Sequence, residues 1–354
     1  HIPSWRARHV VYFNPSDLEY PIGINPLADV PPDKRHLVVS GLVEAFQSIW
    51  RDSWGPRLQY ILTNALAALI DCPNATLLGV SRLLTDPSYR AFVMRHVRDP
   101  FIKKFWLEEF ERYNERLQSE AISPVLNKVG QFLMNPPMRN ILGQPKSKID
   151  FRFIMDDQRI FIANLAKGKL GADKVNLLGS LLTTQFHLAA MSRSEIPEHE
   201  RTDYFLCIDE FQNFTTDTFA SILSEARKFR FCLTLSHQYI DQLSLEIQKA
   251  VFGNVGTMVS FQVGYTDAEI LEKEFSKTFT AEQFTDLNRH EIFVKLLVDG
   301  VGTTPFRAAT LAPLTTEHFH RANLIARSRE RFSQPRHVVE NKINRWIAGA
   351  GDFG

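Results

Sequence analysis

The stretch YFLCIDEFQNF, Tyr204 to Phe214, is an apolar run that ends in two adjacent carboxylates, Asp209 and Glu210. Its apolar part reads as a strand buried on both faces, the form a strand takes inside a parallel sheet. Open α/β sheets bind ligands at the C-terminal ends of such strands. An acidic pair there has a chemical use: Asp209 can hold the hydration shell of Mg2+, and Glu210 can polarise a water for attack on a γ-phosphate. Taken alone, the pair fits a solvated strand end equally well, because an apolar strand finishing in Asp-Glu recurs by chance.

The following apolar run sharpens the reading. FCLTLSHQ, Phe231 to Gln238, puts a second polar tip on the next strand. A glutamine at that tip can orient the attacking water or sense the γ-phosphate. The intervening helix closes in SEARKFRF, so Arg227 and Lys228 are cations in its last turn. Attraction to the helix dipole accounts for either one. The functional alternative is an arginine reaching a nucleotide on a neighbouring subunit.

Short β-type runs alternate with helices from Ile149 onward. Strands are expected at Ile160 to Asn164, Tyr204 to Ile208, Phe231 to Leu235 and Thr257 to Gln262. Helices are expected at Asn176 to Met191, Thr216 to Phe229, Ser244 to Phe252 and Asp267 to Phe275. This alternation predicts a parallel sheet with right-handed crossovers. Ile292 to Val298 and Phe306 to Leu311, joined through DGVGTTP, read as a closing antiparallel hairpin. Upstream, residues 33–148 show apolar residues at three- and four-residue steps, as in Leu58, Ile61, Leu62, Ala65, Leu66 and Leu69. That block reads as all helix, with one long helix from Phe101 to Leu117. The β-type run Val10 to Phe13 precedes it and must wait for residues beyond 149 to supply a sheet. The expected class is therefore α/β, a mostly parallel sheet flanked by helices, with an all-α inserted domain.

The chain has 354 residues, 44% hydrophobic and 23% charged, a globular composition that excludes a disordered or fibrous chain. Its formal net charge of +1 provides no global field toward DNA or anionic lipid, so any such affinity is local. Between Arg82 and Arg152, 13 Lys/Arg face 8 Asp/Glu, with Phe101, Phe105, Trp106, Phe110 and Tyr113 interleaved. Basic and aromatic residues together suit a strand-tracking surface; helical spacing makes core packing the better account of Phe101, Phe105 and Tyr113. Cys72, Cys207 and Cys232 show no metal-type spacing, and the last two lie in apolar runs as small hydrophobes, which suggests a reducing compartment. No apolar stretch approaches the roughly 20 residues that span a bilayer. No G-x-x-x-x-G-K-[ST] phosphate cradle occurs; the nearest cluster, LAKGKLGADK with Lys167 and Lys169, has the wrong spacing and reads as a loop.

Several stretches together resemble a family, the type IV secretion (conjugative) coupling proteins of the HerA/FtsK superfamily of RecA-like hexameric ATPases. They are VVYFNPSDLEYPIGINPL, IANLAKGKLGADKVNLLGSLL, FLCIDEFQNFTT, SEARKFRFCLTLSHQYIDQL and SRERFSQPRHVVENKI. The resemblance implies a RecA-like fold in which Asp209 and Glu210 are the Walker B pair, Gln238 the motif-three glutamine and Arg227 the trans-acting arginine. It implies ATP and Mg2+, the latter held by Asp209 through water. It also implies a homo-hexamer acting on DNA or relaxosome-like nucleoprotein, with secretion-channel or membrane partners. In the family the P-loop precedes the VVYFNPSD-like segment. A chain beginning at His1 is thus expected to be a piece of a longer ATPase, inactive by itself, cytoplasmic as given and attached to the inner membrane through an upstream region. The expected segments are 1–32, the start of the RecA-like domain; 33–148, the all-α domain; 149–314, the ATPase core; and 315–354, a charged helical tail. Two alternatives stand beside the translocase: a HerA-type DNA-processing motor, and a degenerate, non-catalytic scaffold that recruits substrates.

Overall fold

The structure, a computed structural model, describes residues 2–313 and 320–349. It divides into two compact units, one of Ile2–Tyr204 with His318–Gly354 and one of Phe205–Glu317.

In the first unit, β1 (Val10–Phe13) pairs in parallel with β2 (Ile160–Ala163), with Val10 opposite Ile160 and Phe13 opposite Ala163. The orphan N-terminal strand thus finds its partner beyond the helical block, as the sequence pattern requires. Among the described residues, 33–148 contains no strand. Its amphipathic spacing is realised in α1 (Arg35–Ile49) and α2 (Pro56–Leu69). In α2, Pro56 occupies the first turn, where no N–H is needed, and Leu58, Ile61, Leu62, Ala65, Leu66 and Leu69 are all buried. Full burial contributes about 1.5–3 kcal/mol for each leucine or isoleucine, so this face holds the helix in place.

One helix differs from the pattern. Phe101 to Leu117 is not continuous: Pro100–Lys104 runs into a π-helical turn, Phe105–Glu109, then a 3-10 turn, Phe110–Arg112, and a new helix, Glu115–Val125. The break falls where Asn114 accepts from the Leu117 amide at 2.8 Å, because an asparagine side chain competes with the helical bond and starts a helix better than it continues one. The wider turn lets Phe105, Trp106 and Phe110 all be buried, and the Trp106 indole donates to the Asn64 carbonyl at 3.2 Å. Core packing is therefore correct for Phe105 and, in part, for the half-buried Tyr113. It is incorrect for Phe101, which is 80% exposed because it precedes the turn. The C-terminal helices Arg321–Phe332 and Arg336–Ile347 return to this unit: the Tyr12 amide donates to Ser328 Oγ at 2.8 Å, and Arg329 pairs with Asp17.

In the second unit, β3 (Tyr204–Ile208, whose first residue belongs to the other unit) is hydrogen-bonded to β4 (Phe231–Leu235). β5 (Met258–Ser260), β6 (Glu291–Lys295) and β9 (Phe306–Ala309) form an antiparallel sheet in the order β5-β6-β9. A small hairpin, β7 (Leu297–Val298) and β8 (Val301–Gly302), sits within the β6–β9 connection. It turns at Asp299 (φ 50°) and Gly300 (φ 80°), the pair of positive dihedrals that Asp-Gly hairpins favour. The closing hairpin is therefore present. The single, mostly parallel sheet is not: the described strands pair in four small sheets, and β5 runs antiparallel to its partner. Apolar runs mark strands without marking direction, which is why the sequence pattern missed this. Cys207 and Phe205 likewise differ from the buried reading. Both are exposed, because β3 alternates and only Tyr204 and Ile208 are buried.

Behind β3 and β4, Phe211, Phe219, Ile222, Phe231, Ile240 and Ile247 are buried. A second core gathers Phe275, Phe284, Leu287 and Phe293, with the Phe279 and Phe293 rings stacked at 3.8 Å.

Candidate functional site

The site is the turn that leaves β3. Asp209 and Glu210 follow the strand directly, and Phe211–Asn213 forms a 3-10 turn. Phe211 anchors it: 1% exposed, its ring stacks on Phe219 and meets the His237 imidazole edge-on at 5.3 Å. Glu210 between them has φ 53° and ψ 44°, the left-handed region. For a non-glycine residue this costs roughly 1–2 kcal/mol, offset by bonds to every polar group Glu210 presents. Its carbonyl accepts from the Asn213 amide at 3.0 Å and side chain at 2.8 Å. Its carboxylate accepts from Gln212 Nε2 at 2.6 Å on one oxygen and from Gln238 Nε2 on the other.

Gln238 thus meets the acidic pair, with its position set from two sides. β4 is paired with β3, and two residues later the Ile240 amide donates to the buried Asp267 carboxylate at 3.1 Å. Gln248 Nε2 holds the Ile240 and Leu243 carbonyls at 3.1 and 2.9 Å. Asp209 is exposed, and its Oδ1 accepts from Ser236 Oγ at 2.7 Å and from the Glu210 amide at 3.1 Å. Asp209, Glu210 and Gln238 are therefore brought together at the tips of two paired strands. Arg227 is not joined to them: it is exposed on the 3-10 turn Ala226–Phe229, with no ion-pair partner among the described residues. Lys167 and Lys169 lie in the other unit, exposed on one helical turn, Lys167–Leu170, where the sequence suggested a loop.

Residue-type reasoning overlooked Gln212, Asn213 and the bracing by Ser236. Gln212 and Asn213 stand beside the acidic pair in DEFQNF, and that adjacency is the one signal that could have identified them.

The donor set suits Mg2+. Ser236 and Glu210 occupy Asp209 Oδ1, leaving Oδ2 without a protein donor among the described residues, a hard anionic oxygen of the type this ion takes. No cluster of three or more His, Cys, Asp or Glu able to hold a metal occurs among the described residues. One or two carboxylates completed by water and substrate phosphate is the usual Mg2+ arrangement. Two buried polar atoms at the same turn, Gln212 Oε1 and His237 Nδ1, find no partner among the described residues, as in a site that completes its hydrogen bonds with a ligand.

The fold is shared with solved structures of a bacterial conjugative coupling protein, in agreement with the sequence resemblance. The bacterial conjugative coupling protein TrwBΔN70, unbound, matches with a TM-score of 0.57 at 11% identity, over 85% of this chain and 73% of that one. The plasmid coupling protein TrwB in complex with ADP and Mg2+ matches at 0.55 and 12%, over 85% and 78%. VirB4 of Thermoanaerobacter pseudethanolicus matches at 0.53 and 14%, over 86% and 76%. At such identity the likeness is one of fold. No family model matches the sequence, and no curated protein matches it.

Proposed function

We propose that the chain is the ATPase portion of a conjugative coupling-protein motor, in which ATP hydrolysis drives transport of DNA or nucleoprotein through a type IV secretion system. The observation that carries this reading is the Gln238 amide donating to Glu210 at the tips of two paired strands, in a fold shared with TrwB. In this assignment the ATPase core is residues 149–314 and Asp209 holds Mg2+ through water. The ion, when bound, neutralises charge on the phosphate oxygens. Glu210 takes the proton side of the attacking water, and Gln238 fixes that water's orientation. Arg227, free of intrachain ion pairs among the described residues, is available to a nucleotide on the adjoining subunit of a homo-hexamer, since an arginine supplied in trans stabilises the charge of the transition state. The motor works in the cytoplasm, associated with the inner membrane.

The test is Glu210→Gln in the complete natural chain. Mg·ATP affinity should stay within about threefold while turnover falls by at least ~10²-fold, the usual contribution of a positioned general base. Undiminished turnover removes Glu210 from the mechanism. Failure of the unsubstituted natural chain to bind ATP would instead favour the recruiting scaffold.

A further inference from the structure

Ser236 makes three hydrogen bonds to the four residues Ile208 to Phe211. Its amide donates to the Ile208 carbonyl at 3.0 Å, its carbonyl accepts from the Phe211 amide at 3.0 Å, and its hydroxyl donates to Asp209 Oδ1 at 2.7 Å. The two backbone bonds close on either side of Asp209 and Glu210, so the main chain of Ser236 spans the whole acid turn. A serine hydroxyl lies one rotatable bond from its backbone. From the bracketed position one staggered rotamer reaches the Asp209 carboxylate, and that rotamer is the one occupied. With the Glu210 amide on the same oxygen at 3.1 Å, Oδ1 is occupied twice, which restrains the carboxylate and leaves Oδ2 without a protein donor among the described residues. Charge-assisted bonds of this kind are roughly twice as strong as neutral ones, which favours a single orientation over free rotation.

We propose that Ser236 is a positioning residue for the divalent cation: its hydroxyl holds Asp209 so that Oδ2 faces the ion's hydration shell. This rests on the assignment of Asp209 made above. It adds a residue whose sequence context, Leu-Ser-His-Gln, shows only a polar residue near a strand tip. Ser236→Ala removes the hydroxyl and keeps both backbone bonds, so the substitution isolates the side chain. Ser236→Thr restores the donor.

Partners that orient a metal ligand typically change metal affinity by about 10–100-fold when removed. Asp209 would hold the ion through water, which puts the expectation at the lower end, about tenfold. The experiment titrates Mn2+ in the presence of ADP by electron paramagnetic resonance, using the complete natural protein and its Ser236→Ala, Ser236→Thr and Asp209→Asn forms, with thermal melting alongside. The expected result is Mn2+ binding weakened about tenfold by Ser236→Ala and at least as much by Asp209→Asn, restored to within about twofold by Ser236→Thr, with melting of all four forms alike. Unchanged binding in Ser236→Ala, with Asp209→Asn weakened, overturns the role of Ser236 and leaves the Asp209 assignment standing. Unchanged binding in Asp209→Asn, or none in the unsubstituted protein, overturns that assignment and this inference with it. A threonine form as weak as the alanine form, or a loss of affinity that tracks a lowered melting temperature, shows a structural role and also overturns the proposal.

Discussion

Glu210 sits in the left-handed region with its carbonyl, and both carboxylate oxygens, hydrogen-bonded within the chain. Strain of this kind persists where surrounding contacts over-determine it, and it concentrates at functional positions. Residue-scale chemistry of a plainer sort fixes the helical block. Asp86 precedes the helix Pro87–Met94 and accepts from the Ser88 and Tyr89 amides at 2.9 and 3.1 Å, with Arg82 alongside at 2.9 Å. The Tyr89 amide first, and Arg82 next, hold its carboxyl below the ordinary value of 3.8. A carboxyl depressed by folding stabilises the fold at pH values above its unfolded pKa, and that contribution is lost as pH falls through the folded one. Asp86→Ala should cost about 1 kcal/mol at pH 7, as loss of a cap does. The deficit should shrink as pH falls below 3.8, where the unfolded carboxyl takes up its proton, and toward the lower folded value, where the native one does too. Urea denaturation of both forms at pH 7 and at pH 3 reads the difference; a deficit that does not change with pH would remove the carboxylate charge from the account.

Among elements, one close approach with a clear steric cause is that of α1 and the helix Ala172–Ser192. A Cβ added at Gly41 would lie 2.9 Å from Thr184 Cγ2, so the missing side chain is what allows the contact. Thr184 is β-branched and stiff about χ1, which limits its ability to yield. Gly41→Leu should destabilise by about 1–3 kcal/mol through overpacking, outweighing the better helix propensity of leucine. Thermal denaturation of this variant checks it, and a melting temperature at or above that of the unsubstituted chain would show that the pair relaxes freely. The π-helical turn Phe105–Glu109 makes the same point about elements from the other side. Periodicity predicted one straight helix, while three large aromatic rings in six residues could all reach the core only by a change of helical pitch.

At the scale of the molecule, the unit Phe205–Glu317 carries its own aromatic core, in which Phe293 stacks on Phe279 and meets Phe284 edge-on at 4.9 Å. Phe293→Ala should cost about 3–5 kcal/mol, the usual loss for a buried phenylalanine. It should raise amide exchange across 258–309, read by mass spectrometry; unchanged protection there would mean that the antiparallel sheet does not depend on this ring.

Much of this was legible in the chain alone, because local chemistry determines local structure. Tyr204–Ile208 and Phe231–Leu235 fall where the apolar runs place them, and the α2 face buries the residues that its spacing selects. The Asp209, Glu210 and Gln238 triad could be named from residue type at successive strand tips, since a strand ends where apolar residues give way to polar ones. What the tertiary structure alone decided was pairing. β1 finds β2 across the helical block, β5 runs antiparallel to β6, and Cys207 faces outward although its neighbours in sequence are apolar. The same holds for the Ser236 bracket, whose three bonds join residues about 25–28 positions apart. A hydrogen bond between strands depends on which edges meet and in which direction, and an apolar pattern, identical for either direction and either neighbour, carries no record of that choice.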